Sequence, residues 1–200
     1  MVPEPTTHRY RPGDVVPGRS LTTIADEPVA VPDPERLVHL QFRRFASCPI
    51  CNVHLRTFAR RHDELLAAGV REVAVFHSDV AAMLPHQAEL PFASIADPDY
   101  QLYDEFGVEF SLRAVLDPRA WTAPLKPAAW TVGFREARSP GGRFFSLRGQ
   151  TVRGMPAELL IGPDGVVLAS KYGRHANDQW SVDDVLELAV RATRSGSRTT

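Results

Sequence analysis

The chain has 200 residues, 44% of them hydrophobic and 24% charged, and its 23 Lys and Arg against 24 Asp and Glu leave a formal charge of −1. That length suits one globular domain with a sizeable core, and the composition excludes a collagen-like or wholly disordered chain and a strongly basic nucleic-acid binder. The two cysteines, Cys48 and Cys51, can form neither a disulfide-dense scaffold nor a four-thiolate metal site.

The first segment, 1–36, is Pro-rich and reads as an N-terminal extension. Within it Leu21–Ile24 and Pro28–Val31 form a short hairpin pattern around Asp26-Glu27. It shows no apolar signal region, and no run in the chain approaches the roughly 18 apolar residues of a membrane span. The expectation is a cytoplasmic protein with no membrane partner. In such a reducing compartment a close cysteine pair is redox-active or metal-binding rather than a permanent staple.

Leu37–Phe42 alternates Val38, Leu40 and Phe42 with His39 and Gln41, the period of a strand. After a short loop comes Cys48-Pro49-Ile50-Cys51. A helical pattern over 52–68 follows, with Leu55, Phe58, His62 and Leu65 on one stripe, His62 reading as a core residue and Gly69 as the stop. Val70–Phe76 is a more continuously apolar strand, as in a buried parallel pair, so the three elements make a right-handed βαβ unit. Asp79 caps another helical stretch that Pro85 interrupts. Phe92–Ala96 is a strand, and Tyr100–Phe106 a short helix ending at Gly107. Residues 111–153 read as a partly helical insertion with a loop near 139–143. Ala157–Ile161 and Val166–Lys171 form a hairpin across Asp164-Gly165, and Ser181–Ala192 is a final helix with a capping box of Ser181 and Asp184. Residues 193–200 read as a flexible tail. The main domain is thus 37–192.

A C-x-x-C at the start of a helix that follows a strand has a physical logic. Helix N-terminal amides favour an anion, so Cys48 is favoured as thiolate, the nucleophilic form. Cys51, one turn on, is within reach to close a disulfide. Between Arg36 and His62 there are six arginines and no acid. Of these, Arg43 and Arg44 lie just past the strand end and are the candidates to face the cysteines. Two other readings of the pair are half of a zinc site, for which the seven histidines offer no tight H-x-x-x-H spacing, and two inert buried thiols.

The stretch F-R-R-F-A-S-C-P-I-C at 42–51, the βαβ unit around it and G-M-P-A-E-L-L-I at 154–161 resemble a thioredoxin-fold protein. V-F-H-S (75–78), L-P-F-A (90–93), A-D-P-D (96–99), Y-D-E-F-G-V-E (103–109) and Y-G-R-H-A-N-D-Q-W-S (172–181) narrow the resemblance to the peroxiredoxin-like branch of the alkyl hydroperoxide reductase and thiol-specific antioxidant superfamily. The resemblance implies an α/β fold, a thioredoxin-like three-layer sandwich with a central mixed sheet. It implies that Pro156 is a cis-proline facing the cysteines. It brings to one sheet edge Arg43, Arg44, Ser47 and Cys48, then His77 and Ser78, then Pro156, Tyr172, Gly173, Arg174 and His175, as groups for thiolate stabilisation, proton transfer or substrate orientation.

The pattern departs from the peroxiredoxin P-x-x-x-T-x-x-C motif. Phe45 stands three residues before Cys48 and Gln41 seven before. Arg113 is a candidate for the family's thiolate-binding arginine. The expected activity is peroxide reduction by Cys48 with Cys51 as resolving thiol, without a cofactor or metal and with an external thiol as reductant. The alternatives are thiol–disulfide exchange and a redox-inactive thioredoxin-like binding domain. A homodimer is a candidate assembly, with the basic, Trp-bearing insertion as its contact or as a lid.

Overall fold

In a computed structural model of the chain, residues 8–108, 155–175 and 177–196 are described. The strands are β1 (Arg19–Thr22), β2 (Pro28–Val31), β3 (Leu37–Phe42), β4 (Val70–Phe76), β5 (Ala93–Ala96), β6 (Ala157–Ile161) and β7 (Val167–Tyr172). The helices are α1 (Pro49–Arg60), α2 (His62–Ala67), α3 (Val80–Gln87), α4 (Gln101–Glu105) and α5 (Val182–Gly196). The insertion 111–153, with Arg113, lies outside the described residues.

Strands β3 to β7 form one five-stranded sheet in the order β5-β4-β3-β6-β7. The central β3 runs parallel to β4 and antiparallel to β6, so the sheet is mixed. Helices cover both faces, which gives the three layers of a thioredoxin-like fold. On one face Leu40 and Phe42 of β3 and Val73 and Val75 of β4 pack with Tyr103 of α4. The N-terminal segment joins the same core through Tyr10, Val16, Val29 and Val31. It is also tied to β7, since the Gly13 amide donates to Val167 O (2.9 Å) and the Val167 amide donates to Asp14 O (2.8 Å). On the other face Phe58 of α1, Leu65 of α2 and Val185 of α5 form a second cluster. There Leu55 and Met83 pack with Ala74 and Phe76.

The alternation of β3 is observed, but its polar residues are buried as fully as its apolar ones. His39, Gln41 and Arg43 share the face under α1 and α5, and each is 0% exposed. The neighbouring strands supply their partners in register, His39 opposite Glu72 and Gln41 opposite Glu158. His39 Nδ1 lies 2.8 Å from Glu72 Oε2, and Gln41 donates to the same oxygen. Arg43 donates to Glu158 Oε1 (2.8 Å), to Gln41 Oε1 and to Gln179. The second oxygen of Glu158 accepts the Trp180 amide. Buried charges persist only when paired and hydrogen-bonded, and here Arg43 and Glu158 form such a pair while Glu72 takes its bonds from Gln41 and His39.

Several boundaries differ from the sequence expectation. The 52–68 helix is two helices, because Arg61 leaves helical geometry (φ −115°, ψ 23°) and its guanidinium bridges Glu64 of α2 and Asp183 of α5. His62 is half-buried at the start of α2 rather than in the core. Asp79 caps α3 as expected, accepting from the Ala82 amide (2.8 Å), and Pro85 sits inside the helix, which continues to Gln87. In so short a helix the missing N–H removes one backbone bond. Strand β1 begins at Arg19 rather than Leu21. The last helix carries its capping box, with reciprocal Ser181–Asp184 bonds, and runs on to Gly196 past Ala192.

Replacing Glu158 by Ala leaves Arg43 buried without its ion partner. Breaking such a pair costs about 3–5 kcal/mol. Urea unfolding of Glu158→Ala should show a loss of that size, and a loss below about 1 kcal/mol would mean the Arg43 charge is satisfied without Glu158.

Candidate active site

The loop between β3 and α1 is held by hydrogen bonds at Arg43, Ala46 and Cys48. The Arg43 amide continues the β3–β4 ladder by donating to Val75 O (2.8 Å). The Tyr103 hydroxyl, on α4, donates to Arg43 O and lies 3.0 Å from Val75 O. Ala46, two residues before Cys48, has its amide on Ser78 Oγ (3.0 Å). Its carbonyl accepts from Asn52 Nδ2 (3.0 Å) and Gln87 Nε2 (2.9 Å), and Gln87 also donates to Asn52 Oδ1 (2.9 Å). Ser78 lies in the connection after β4, Asn52 on α1 and Gln87 on α3, and all are at least 95% buried.

This clamp delivers Cys48 to the N-cap of α1 in extended geometry, with Pro49 at the first helical position. The Cys51 amide donates to Cys48 Sγ (3.4 Å) and Arg44 Nη2 donates to it at 3.0 Å. The two side chains are hydrogen-bonded to each other, and the Arg44 guanidinium and backbone also bond to Cys51. Both thiols are free, and Cys48 is 0% and Cys51 2% exposed.

The electrostatics follow from two thiols beside one cation. Burial opposes ionisation of Cys51, but the hydrogen bond from Cys48, the Arg44 charge and backbone, and more distantly Arg43 outweigh it, and Cys51 is held down at about 5. Cys48 goes the other way. Burial, its bond to Cys51 and the Cys51 charge push its thiol well above the usual range, against the pull of Arg44. The pair thus carries one negative charge at neutral pH, shared across the hydrogen bond between its sulfurs. The helix N-cap does favour an anion, but Arg44 touches both sulfurs and two buried anions cannot share one cation.

The sequence-derived candidates separate. Arg44 is on the thiols. Arg43, one residue earlier, points to the opposite side, into the buried network, and reaches the pair only through its charge. Ser47 is half-buried and makes no side-chain hydrogen bond among the described residues. His77 is 2% exposed and stacks on Tyr100 at 5.4 Å between ring centroids. Burial, then the Arg44 charge, lowers it to about 4, so it is neutral at physiological pH. Arg174 is exposed, and its amide donates to Asp178. His175 Nδ1 accepts the Asn177 amide (3.3 Å), which spends it on the local turn. Tyr172 binds the N-terminal segment through the Tyr10 amide and donates to Phe106 O.

Pro156 stands at the start of β6, beyond the Phe42–Ala157 pair, but its peptide bond is not cis. Among the described residues the cis bond is Val31–Pro32. Trans is the default for X-Pro by about 0.5–1 kcal/mol, and Pro156 O is used in extended geometry, accepting the Gly173 amide (2.8 Å). A Cβ on Gly173 would lie 2.7 Å from Pro156 Cγ, so glycine is what lets these two segments meet. The clamp of Ser78, Asn52 and Gln87 is a set of positioning groups that sequence reading missed, apart from naming Ser78. Polar residues buried on α1 and α3 carry no periodic signature of their own.

No helix among the described residues is long and apolar enough to cross a membrane. Among the same residues no group of three or more His, Cys, Asp and Glu could hold a metal ion.

A paired thiol site at the start of the first helix of a thioredoxin-like sheet defines a class of thiol redox proteins. The AhpC/TSA family model matches residues 12–170, and the chain belongs to that family, as a thiol-dependent redox enzyme of peroxidase type. Solved structures similar in fold include peroxidoxin BcpB from Mycobacterium tuberculosis, with TM-score 0.61 and 16% identity over 94% of this chain and 98% of that one. The reduced 2-Cys peroxiredoxin of Plasmodium vivax aligns with TM-score 0.65 and 11% identity, over 94% and 84% of the two chains. A mutant of the peroxiredoxin 6 of Arenicola marina aligns with TM-score 0.64 and 15% identity, over 94% and 75%. A comparison with curated proteins gives no match.

A thiol that ionises at about 5 in the folded protein and at the ordinary value when unfolded stabilises the fold at high pH, and this contribution is lost as pH falls through about 5. Arg44→Met should raise the first thiolate transition, followed by ultraviolet absorbance, by more than about 2 pH units. It should also remove that part of the acid-side loss of stability. An unchanged first transition would show that Arg44 does not hold the charge.

Proposed function

We propose that Cys48 and Cys51 reduce peroxides as a pair, with Cys48 as nucleophile and Cys51 first as its base and then as its resolving thiol. The observation that carries this reading is the hydrogen-bonded sulfur pair under one guanidinium, with Arg44 Nη2 3.0 Å from Cys48 Sγ. The Cys51 thiolate takes the Cys48 proton across their hydrogen bond. The Cys48 thiolate, held by Arg44 and the Cys51 amide, attacks the near oxygen of the peroxide. The O–O bond breaks, the far oxygen leaves as alkoxide or hydroxide and takes up a proton, and Cys48 becomes a sulfenic acid. The Cys51 sulfur then attacks the Cys48 sulfur, an S–S bond forms and water leaves. An external dithiol, or two monothiols, returns the pair to the reduced state by exchange. A cytoplasmic location and a homodimer belong to the same reading.

A second reading is disulfide exchange, favoured by Phe45 in the position where the family motif carries a hydroxyl. Phe45 offers only a ring, with the Arg44 guanidinium carbon 6.0 Å from its centroid. In that reading Cys48 forms a mixed disulfide with the substrate and Cys51 displaces the product.

Stopped-flow reaction of the reduced protein with hydrogen peroxide separates them. Peroxidase chemistry predicts a rate at least about 100-fold above that of a free thiolate, the scale of positioned catalytic groups. Cys48→Ser should abolish the reaction, and Cys51→Ser should leave a sulfenic acid that a dimedone-type reagent traps on Cys48. Full activity in Cys48→Ser would overturn the assignment of the nucleophile, and a free-thiolate rate would leave the exchange reading.

A further inference from the structure

The carboxyl ends of β3 and β4 meet at one side chain that belongs to neither strand. The Tyr103 hydroxyl, on α4, donates to Arg43 O and lies 3.0 Å from Val75 O, and its oxygen accepts the His77 backbone amide. One hydroxyl thus joins the end of β3 to the end of β4.

Two of the residues it holds stand one position before a residue that acts on the thiol site. Arg43 O lies in the peptide plane shared with Arg44, so a bond at that oxygen sets the direction in which Arg44 leaves the strand. Arg44 Nη2 then reaches Cys48 Sγ at 3.0 Å. His77 precedes Ser78, whose Oγ accepts the Ala46 amide (3.0 Å) and so holds the turn that carries Cys48.

Tyr103 is itself fixed from several sides. Asp97 accepts the amides of Gln101 (3.0 Å), Leu102 (2.9 Å) and Tyr103 (3.2 Å) at the start of α4. Arg19 forms a paired bond with Glu105 at its end. With five residues, α4 is too short to hold its shape alone, so these outside bonds decide where the hydroxyl stands. The side chain is 0% exposed, and its ring meets Phe42 at 5.2 Å and His77 at 5.5 Å between centroids. Packing alone would be served by a phenylalanine, as at Phe42 and Phe106 in the same cluster. Burial, then the Asp97 and Cys51 charges, push the phenol well above its usual range against the His77 amide and Arg43. It therefore keeps its proton, and its role as donor, wherever the thiols titrate.

We infer that the Tyr103 hydroxyl is a positioning group of the thiol site, which sets Arg44 against the sulfur pair by joining Arg43 O to the His77 amide. It acts through Arg44 rather than on the reacting atoms. The inference rests on the thiol pair as the reactive site, but not on peroxide as its substrate.

Tyr103→Phe keeps the ring and removes these bonds. In the reduced full chain the first thiolate transition, followed by ultraviolet absorbance, should rise by about 1 pH unit. The rate with hydrogen peroxide should fall about tenfold, the scale of a misplaced catalytic group. In an Arg44→Met background the same substitution should add nothing to the transition, because the group it positions is gone. Val73→Ala loosens the same core cluster without touching the hydroxyl and should leave the transition in place. A hydroxyl that served the fold alone would lower the stability of Tyr103→Phe with the transition unmoved, and that result would overturn the inference. So would an equal rise in the Arg44→Met background or in Val73→Ala. One reading needs no variant to fold: in the unaltered protein the His77 amide should exchange with deuterium as slowly as amides inside β4, and the rate of an open amide would overturn the inference. A free-thiolate rate with peroxide in the unaltered protein would sink the peroxidase reading alone, since the thiolate transition is measured with no peroxide present.

Discussion

Two adjacent arginines are buried at the carboxyl end of the central strand, and each must be given an anion. Arg43 is 0% and Arg44 5% exposed. Removing a guanidinium from water costs several kcal/mol unless charge and hydrogen bonds are returned to it. Because successive residues leave a strand on opposite sides, the two demands are met in different places. Arg43 turns under α1 and α5 and takes Glu158, which fixes β6 beside β3 and, through the Trp180 amide, the approach to α5. Arg44 turns to the helix start, where the available anion is a sulfur. The buried network and the candidate active site are thus two answers to one constraint.

This explains why the thiol pair needs a loop so heavily bonded. A charge held in a dry site is worth something only at fixed distance, because Coulomb energy in low dielectric changes steeply with separation. Ala46 is gripped at both its amide and its carbonyl, by Ser78, Asn52 and Gln87. Arg43 O is held by Tyr103 from the opposite face of the sheet. The apolar core around Phe42 and Tyr103 therefore reaches the chemistry by way of the backbone between Arg43 and Cys48.

What could be read from the sequence was whatever depends on periodicity or on local chemistry. The strands Leu37–Phe42 and Val70–Phe76 came out with their boundaries. The Ser181–Asp184 box and the Asp79 cap were legible because one side chain satisfies a backbone group a few residues away. The cysteine spacing and Arg44 were legible for the same reason. What failed depends on long-range partners. His39 and Gln41 read as the polar side of an alternating strand, and only Glu72 and Glu158, distant in sequence, make their burial tolerable. Pro156 was given a cis bond by resemblance, and the close meeting of its ring with Gly173 is achieved in trans.

The single charge shared by the thiols also bears on the direction of the redox cycle. In the reduced state Arg44 has a thiolate partner, because the sulfur pair it touches holds one negative charge. A disulfide between Cys48 and Cys51 removes that negative charge and leaves the guanidinium buried beside two neutral sulfurs. By linkage, whatever stabilises the dithiol state relative to the disulfide raises the reduction potential of the couple. In the proposed cycle a site built this way would give up its disulfide readily to an external thiol. The same cation that readies the sulfur for oxidation thus biases the oxidised pair toward its return, and this is the arrangement a catalyst that must turn over requires.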